Sequence, residues 1–428
     1  MAPVLYRIWV GASMVLVPFA AWASTRKLRR AGVPVVRAHE KLGHATEPRP
    51  ADGPLIWLHG ASVGETLSVL ALIIRMGVAL PHAHFLITSG TATSADLVAR
   101  RMPPRCVHQF APLDAPGPLK RFLRHWRPDA ALFIESELWP QMLRRTRAQG
   151  AKMALVNARL SAGSIANWRR FPKTARYLLD VFDLILTQND AMAQAMVSIN
   201  APAPRVARGI NLKSMAGPLP VDEDLLFEAR AALGHRPVWV ASSTHEGEEQ
   251  AVLAAHKDLL KRWPDLCLIL APRHPERGQE VMNLIAGAGL SLTRRTRGDM
   301  PAGQVFLADT MGELGTWYAL SEIVFLGGSL RPIGGHNPFE VAQSGAAVLS
   351  GTQVTNFAET YSEMETLGAS RFVNDAADLA DRVDALLRDP ALREKACAAA
   401  ARFSAQQTDK LDGIAARLIK ALGLNQHD

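Results

Sequence analysis

Short apolar runs alternate with helix-length segments in two successive series along this chain, and that alternation restricts the fold more than any other feature. LIWLHG (55–60), HFLIT (84–88), CVHQFAP (106–112), AALFIE (130–135), AKMALVNA (151–158) and LILTQN (184–189) make the first series. PVWVASS (237–243), LCLILAP (266–272), SLTRRT (291–296), QVFLAD (304–309), IVFLGG (323–328) and AAVLSG (346–351) make the second. Runs this short and this apolar suit strands buried on both faces, which occur in parallel sheets, and parallel strands require crossover helices. Two Rossmann-like, doubly wound α/β halves are therefore predicted, with ligands expected at the carboxyl ends of the strands and in the crevice between the halves. Between the series, NLKSMAGPLP (211–220) holds two prolines and a glycine and reads as a linker. The expected boundaries are 1–25 for an N-terminal anchor, 26–215 for the first half, 216–235 for the linker and 236–428 for the second half.

No GxGxxG dinucleotide fingerprint and no GxxxxGK[ST] phosphate loop occurs, which removes support for hydride transfer or a P-loop enzyme. Cys106, Cys267 and Cys397 lie far apart without CxxC spacing, so neither a disulfide framework nor a zinc site is expected. A formal net charge of +8 points to an anionic partner: nucleic acid, an acidic membrane surface or a phosphorylated substrate.

No charged residue falls between Arg7 and Arg26, and the interval is about the minimum length for a membrane span. Trp9 and Trp22 suit interfacial belts, and the Arg26, Lys27, Arg29 and Arg30 cluster favours keeping the downstream chain in the cytoplasm. Ala21-Trp22-Ala23 also reads as a cleavage site, and a buried helix is the third reading. A membrane anchor is the expectation.

The stretch 323–351 concentrates the signals for a ligand. IVFL stops at Gly327-Gly328; a second pair, Gly334-Gly335, precedes His336-Asn337-Pro338-Phe339-Glu340. Asn337 suits an N-cap, Pro338 the first helical position and Glu340 the third, so a helix is predicted from Pro338. Strand, glycine loop and helix start together suit an anion or a nucleotide. The same spacing recurs as Ser62-x-x-Glu65, Ser243-x-x-Glu246 and Thr310-x-x-Glu313, each a capping box at a strand-to-helix turn and each placed beside the expected ligand crevice. Glu65 thus reads as a cap and as a candidate base. Glu135 and Glu137 end another strand, Arg159 and Lys213 add positive charge, and Arg273 follows the LCLILAP strand where it could face a phosphate. His245, His274 and His336 lack metal-ligand spacing and read as hydrogen-bonding or packing groups; no metal site is expected. Asp222-Glu223-Asp224 reads as an N-terminal helix cap.

Taken jointly, GASVGET, ESELWP, VNARLS, GINLK, ASSTHEGEE, APRHPER, DTMGELG and GGSLRPIGGHNPFE resemble the 3-deoxy-D-manno-octulosonic acid (Kdo) transferases of Gram-negative bacteria. The resemblance implies a GT-B fold, with two Rossmann-like domains facing across a cleft, and no cofactor or metal. It implies transfer of Kdo from CMP-Kdo to a lipid A precursor on the cytoplasmic side of the inner membrane. It makes Glu65 the general base and places Glu135 and Lys213 where they stabilise the transition state. Pro272 and Arg273, Met311, Gly312 and Glu313, and Asn337, Pro338, Phe339 and Glu340 fall at its CMP-binding positions. These residue types fit the chemistry, because an anionic base activates a sugar hydroxyl and attack at an anomeric carbon develops oxocarbenium character. An epimerase on the same fold, or a non-catalytic nucleotide-sugar binder, are the competing readings.

The resemblance also gives the basic excess a role. Arg100, Arg101, Arg105, Lys120, Arg121, Arg124, Arg127, Arg144, Arg145, Arg147, Arg169, Arg170, Lys173 and Arg176 all lie in the first half. That half is expected to meet the phosphorylated acceptor and anionic inner-membrane lipids. The apolar N-terminus and the lack of an interleaved aromatic-basic motif argue against nucleic acid.

Overall fold

The computed structural model describes residues 2–61, 63–212 and 219–425. The chain forms two compact units, Met1–Ala216 together with Asp409–Asp428, and Gly217–Thr408. The expected boundaries differ in two places. The stretch expected as a linker contains the helix Glu223–Leu233, capped by Asp222, whose Oδ1 accepts the Leu225 N–H at 3.0 Å. The last helix, Pro390–Ala421, begins in the second unit and ends among residues of the first, so 409–428 does not belong with the second half. Composition at a surface turn does not reveal which core a distant helix joins.

In the first unit the strands are β1 (Leu55–His59), β2 (His84–Ser89), β3 (Cys106–Phe110), β4 (Ala130–Ile134), β5 (Lys152–Ala158), β6 (Leu184–Thr187) and β7 (Val206–Arg208). The second unit holds β8 (Val238–Thr244), β9 (Cys267–Pro272), β10 (Leu292–Arg294), β11 (Val305–Leu307), β12 (Ile323–Leu326), β13 (Ala347–Gly351) and β14 (Ser370–Val373). Every strand pairing in both sheets is parallel. The orders are β3-β2-β1-β4-β5-β6-β7 and β10-β11-β9-β8-β12-β13-β14.

The direction of winding reverses between β1 and β4 in the first sheet and between β8 and β12 in the second, where β11 is also inserted between β9 and β10, and helices leaving on opposite faces open a crevice at such a reversal. The central strands are buried at every position, as helices on both faces require. Trp57 anchors the first core, its ring 4.8 Å from Phe122 and 5.3 Å from Phe133, with Nε1 donating to Thr88 Oγ1 at 2.8 Å. Trp239, Leu268 and Phe325 lie in the corresponding core of the second unit.

The N-terminal helix, Val4–Arg30, runs 27 residues, longer than the expected anchor, and is apolar and long enough to cross a membrane. It is also tied to the body of its unit. Trp9 Nε1 donates to Asp114 Oδ2 at 2.7 Å, Gln141 Nε2 donates to Ser13 Oγ at 2.7 Å, and Tyr6 meets the edge of Tyr177. Ile8, Val15, Phe19 and Trp22 remain exposed.

Candidate active site

In the first unit the switch point is bordered by the loops after β1 and β4. Gly60 follows β1; a Cβ there would lie 3.1 Å from Glu65 Cβ, so glycine lets the strand turn tightly into the helix Val63–Ser68. Glu65 stands in the first turn of that helix, half-buried, and its Oε2 accepts the Ala61 N–H at 2.9 Å. The carboxylate therefore reaches back over the start of its helix, to the residue before the expected N-cap. Ser62, the other member of that box, lies outside the described residues.

Glu135 leaves β4 with φ +56°, an uncommon conformation for a residue with a Cβ, and is buried. Asn157, near the end of β5, has φ +57°, and the β5–β6 register shifts between Leu155 and Ala158. Asn157 Nδ2 donates to Glu135 Oε1 at 3.3 Å, while its Oδ1 accepts the N–H of Leu212 at 3.2 Å. Lys213 lies outside the described residues. Left-handed residues and a bulge at strand ends cost backbone energy, and they cluster where a side chain must be aimed rather than merely packed. Asn157 had no individual role in the sequence; its type was the available signal, because asparagine tolerates the left-handed region.

The two carboxylates of ESE go to different partners. Glu137 Oε2 lies 3.2 Å from His59 Nε2 and also accepts from the Trp139 indole, and His59 Nδ1 contacts Thr88 Oγ1 at 2.9 Å. Burial raises the Glu137 pKa, but the His59 and Trp139 contacts outweigh burial and hold the carboxyl below its ordinary range.

In the second unit β8 and β12 border the switch point. Ser243 has φ +53° beside a register shift between Ser242 and Thr244, the same device as at Asn157. The expected box at Ser243 and Glu246 is not formed, because the following helix begins only at Glu249. The carboxylate that organises this turn is Glu248, which is fully buried. Its Oε2 accepts from His245 N at 2.9 Å and Gly328 N at 2.6 Å. Its Oε1 accepts from Ser329 N at 2.9 Å and Leu330 N at 2.8 Å. One side chain thus pins the loop after β12 onto the loop after β8. Gly327 is required there, since a Cβ would come within 2.8 Å of Ser243 O and Thr244 Cα.

The expected CMP positions follow β9, β11 and β12 in this sheet. Pro272 ends β9 and is buried; Arg273 follows it, exposed, with its N–H bonded to Thr244 O at 2.9 Å. Met311 is exposed and Gly312 has φ +89°. Glu313 is the N-cap residue of the helix Leu314–Tyr318, not its third residue. Its carboxylate is clasped by Arg295, with Nε at 3.1 Å and one terminal nitrogen at 2.9 Å, and by the Thr310 hydroxyl. The helix after the glycine loop is Phe339–Gln343, one residue later than predicted. Asn337 Oδ1 accepts the Phe339 N–H at 3.1 Å across a two-residue turn, while the Phe339 ring is buried against Phe403. Asp309, at the end of the QVFLAD segment, is also buried, accepting from Arg294 Nε at 2.6 Å and Thr296 N at 3.0 Å.

His245 and His336 have nearly parallel rings that meet through their Nε2 atoms, 2.8 Å apart, and His274 meets the edge of His245. One Nε2 must donate and the other accept, so the two facing nitrogens do not both carry a proton. Burial, with help from His245 and Arg273, pushes His336 down to about 4. Burial likewise pushes His256 down to about 4 and His108 down to about 3.

These shifts predict acid lability. Above the ordinary histidine value near 6.5 these rings are neutral in both the folded and unfolded chain; between that value and their folded values the unfolded chain binds the extra protons. Stability therefore falls as pH drops from about 6.5 toward 4, with His256 alone forfeiting on the order of 3 kcal/mol once its folded value is passed. Melting temperatures measured from pH 7 to 4.5 should drop steadily, and a flat profile would contradict the buried neutral assignment.

Known proteins share both the sequence and the architecture. A family model described as 3-deoxy-D-manno-octulosonic-acid transferase (kdotransferase) matches residues 36–216. A probable mitochondrial 3-deoxy-D-manno-octulosonic acid transferase of Arabidopsis thaliana is 30% identical over 402 residues, 91% of this chain and 89% of that protein. The 3-deoxy-D-manno-octulosonic acid transferase of Haemophilus influenzae is 32% identical over 360 residues, covering 82% and 83%. Among solved structures, a UDP-N-acetylglucosamine 2-epimerase superposes with a TM-score of 0.58 at 13% identity, over 89% of this chain and 98% of that one. A glycosyltransferase from Rickettsia africae does so with 0.57 at 14%, over 88% and 100%. The structural likenesses establish the GT-B fold. The sequence relatives, aligned over most of both chains, go further: this chain belongs to the 3-deoxy-D-manno-octulosonic acid transferase family of glycosyltransferases.

Proposed function

We propose that the chain moves Kdo from CMP-Kdo to a sugar hydroxyl of a lipid A precursor, with inversion at the anomeric carbon and without a metal. The observation that carries this reading is family membership over most of the chain, supported by candidate residues that stand at the carboxyl end of a strand or in the turn or helix start that follows it. In the proposed reaction Glu65 takes the proton of the acceptor hydroxyl as that oxygen bonds to the anomeric carbon. The bond from that carbon to the phosphate oxygen breaks, and CMP leaves with the electron pair. Glu135, aimed by its left-handed backbone and by Asn157, lies on the other side of the switch point, where a negative charge opposes the positive charge developing on the sugar. Lys213 is proposed to act on the departing phosphate.

The donor is assigned to the second unit. Arg273 and the loops at Met311–Glu313 and Asn337–Glu340 supply a cation and backbone donors for a monophosphate, which carries too little charge to require a bridging metal. The basic first unit is assigned to the phosphorylated acceptor. The helix Val4–Arg30 would hold it at the inner membrane, with Arg26, Lys27, Arg29 and Arg30 keeping the catalytic units on the cytoplasmic side.

The direct test is incubation of the full chain with CMP-Kdo and a tetraacylated lipid A precursor, followed by mass spectrometry of the lipid. The expected result is a mass increase of one or more Kdo units with release of CMP. An unmodified lipid in the presence of intact donor would sink the proposal.

A further inference from the structure

The second unit holds a cavity at the amino end of its sheet, away from the loops assigned to the donor. It has a volume of about 170 Å³ and opens where β13 and β14 begin, under the helices Ala376–Arg388 and Pro390–Ala421. Its floor is apolar, built from Leu349, Leu386, Ala396 and Ala399. One face of the last helix contributes much of it, since Leu392, Ala396 and Ala399 recur at the helical spacing. Small side chains at 396 and 399 leave room that a leucine would fill.

The charges around the opening say what belongs there. Around the mouth stand Arg371, Arg382, Lys395 and Arg402, with no acidic residue in the lining. Arg382 is paired with Asp378, whereas Lys395 and Arg402 make no ion pair among the described residues. They lie two helical turns apart on one side of the helix, flanking the apolar floor. With Arg382 compensated by Asp378, the exposed Arg371, Lys395 and Arg402 supply the positive charge at the rim that attracts an anion.

We infer that this cavity is a binding site for a small amphiphilic anion: one phosphate or carboxylate at the Lys395–Arg402 rim, carried on an apolar body of about benzene size against Leu349, Ala396 and Ala399. The size follows from the volume, since an apolar cavity of roughly 150 Å³ accommodates a benzene molecule. The rim selects the charge. The site is separate from the donor positions, so this inference stands whether or not the proposed transfer is correct.

Phenyl phosphate is the probe, titrated calorimetrically into the full chain, with benzyl alcohol and benzylammonium as matched apolar bodies of zero and opposite charge. The expected result is saturable one-to-one binding of phenyl phosphate, at least tenfold tighter than benzyl alcohol, with no binding of benzylammonium. The surface double variant K395E/R402E should weaken phenyl phosphate at least tenfold while leaving CMP binding and the melting temperature unchanged. Ala399→Leu should abolish binding by occupying the floor, and its melting temperature reports whether it folds. Equal binding of the three probes, absence of saturation, or unaltered affinity in K395E/R402E would each overturn the inference. The charge variant decides the question even if Ala399→Leu fails to fold.

Discussion

Glu65→Gln is expected to lower turnover by about 10²- to 10⁴-fold, the range over which a positioned general base contributes. The substitution is well suited to the question because glutamine has nearly the same shape and retains an amide oxygen for the Ala61 N–H that Oε2 accepts at 2.9 Å. The helix cap therefore survives, and the melting temperature should change by less than about 0.5 kcal/mol equivalent. What is lost is the capacity to take a proton at neutral pH. CMP binding, assigned to loops of the other unit, should be unaltered, so the loss should appear in kcat with the donor KM nearly constant. Transfer at close to the wild-type rate would remove Glu65 as the base. Loss of both activity and folding would instead show that capping is the carboxylate's main role.

The second large effect is structural and concerns a residue that the sequence did not single out. Glu248 accepts four backbone N–H groups while fully buried. Glu248→Gln keeps the volume but turns an NH₂ group toward two of those donors, so two buried N–H groups lose their acceptor and face another donor. At 1–3 kcal/mol for each such group, and more where the lost acceptor was charged, the cost is about 3 kcal/mol or more. For a unit of this size that corresponds to a fall of roughly 6–12 °C in its melting transition. Because the same carboxylate shapes the loop leading to Asn337 and Glu340, CMP binding should weaken in parallel. Glu246→Gln is the matched control: Glu246 is exposed, and the variant should melt as the parent does. Equal stability of the two variants would contradict the role given to Glu248.

The contrast between Glu246 and Glu248 shows how far local pattern carries. Ser-x-x-Glu spacing names the residue that caps a helix only if the helix starts where the pattern assumes. At Glu65 it does, and the carboxylate reaches back to the Ala61 N–H. At Ser243 a left-handed residue and a register shift delay the helix to Glu249, and the carboxylate of Glu248 is used to clamp a loop some 80 positions away. At Glu313 the side chain is taken by Arg295. Strand pattern behaves similarly. The interior strands were legible because burial on both faces demands continuous apolar runs. β7 and β14 were not, because edge strands are short and partly exposed, and their sequences VAR and SRFV lack such a run.

The sequence by itself determined the two parallel α/β halves, the apolar N-terminal segment, the family and the residue types available for chemistry. These are properties of local periodicity and of motifs read in order, and neither needs knowledge of what lies nearby in space. Only the tertiary structure decided that Glu135 is aimed through a left-handed backbone by Asn157, and that Glu137 belongs with His59. It alone showed that His245 meets His336 and that Glu248 holds the glycine loop. The physical reason is the same in each case. A buried polar group takes whichever partner the packed fold brings within hydrogen-bond reach, and that partner is fixed by strand order and register rather than by separation along the chain.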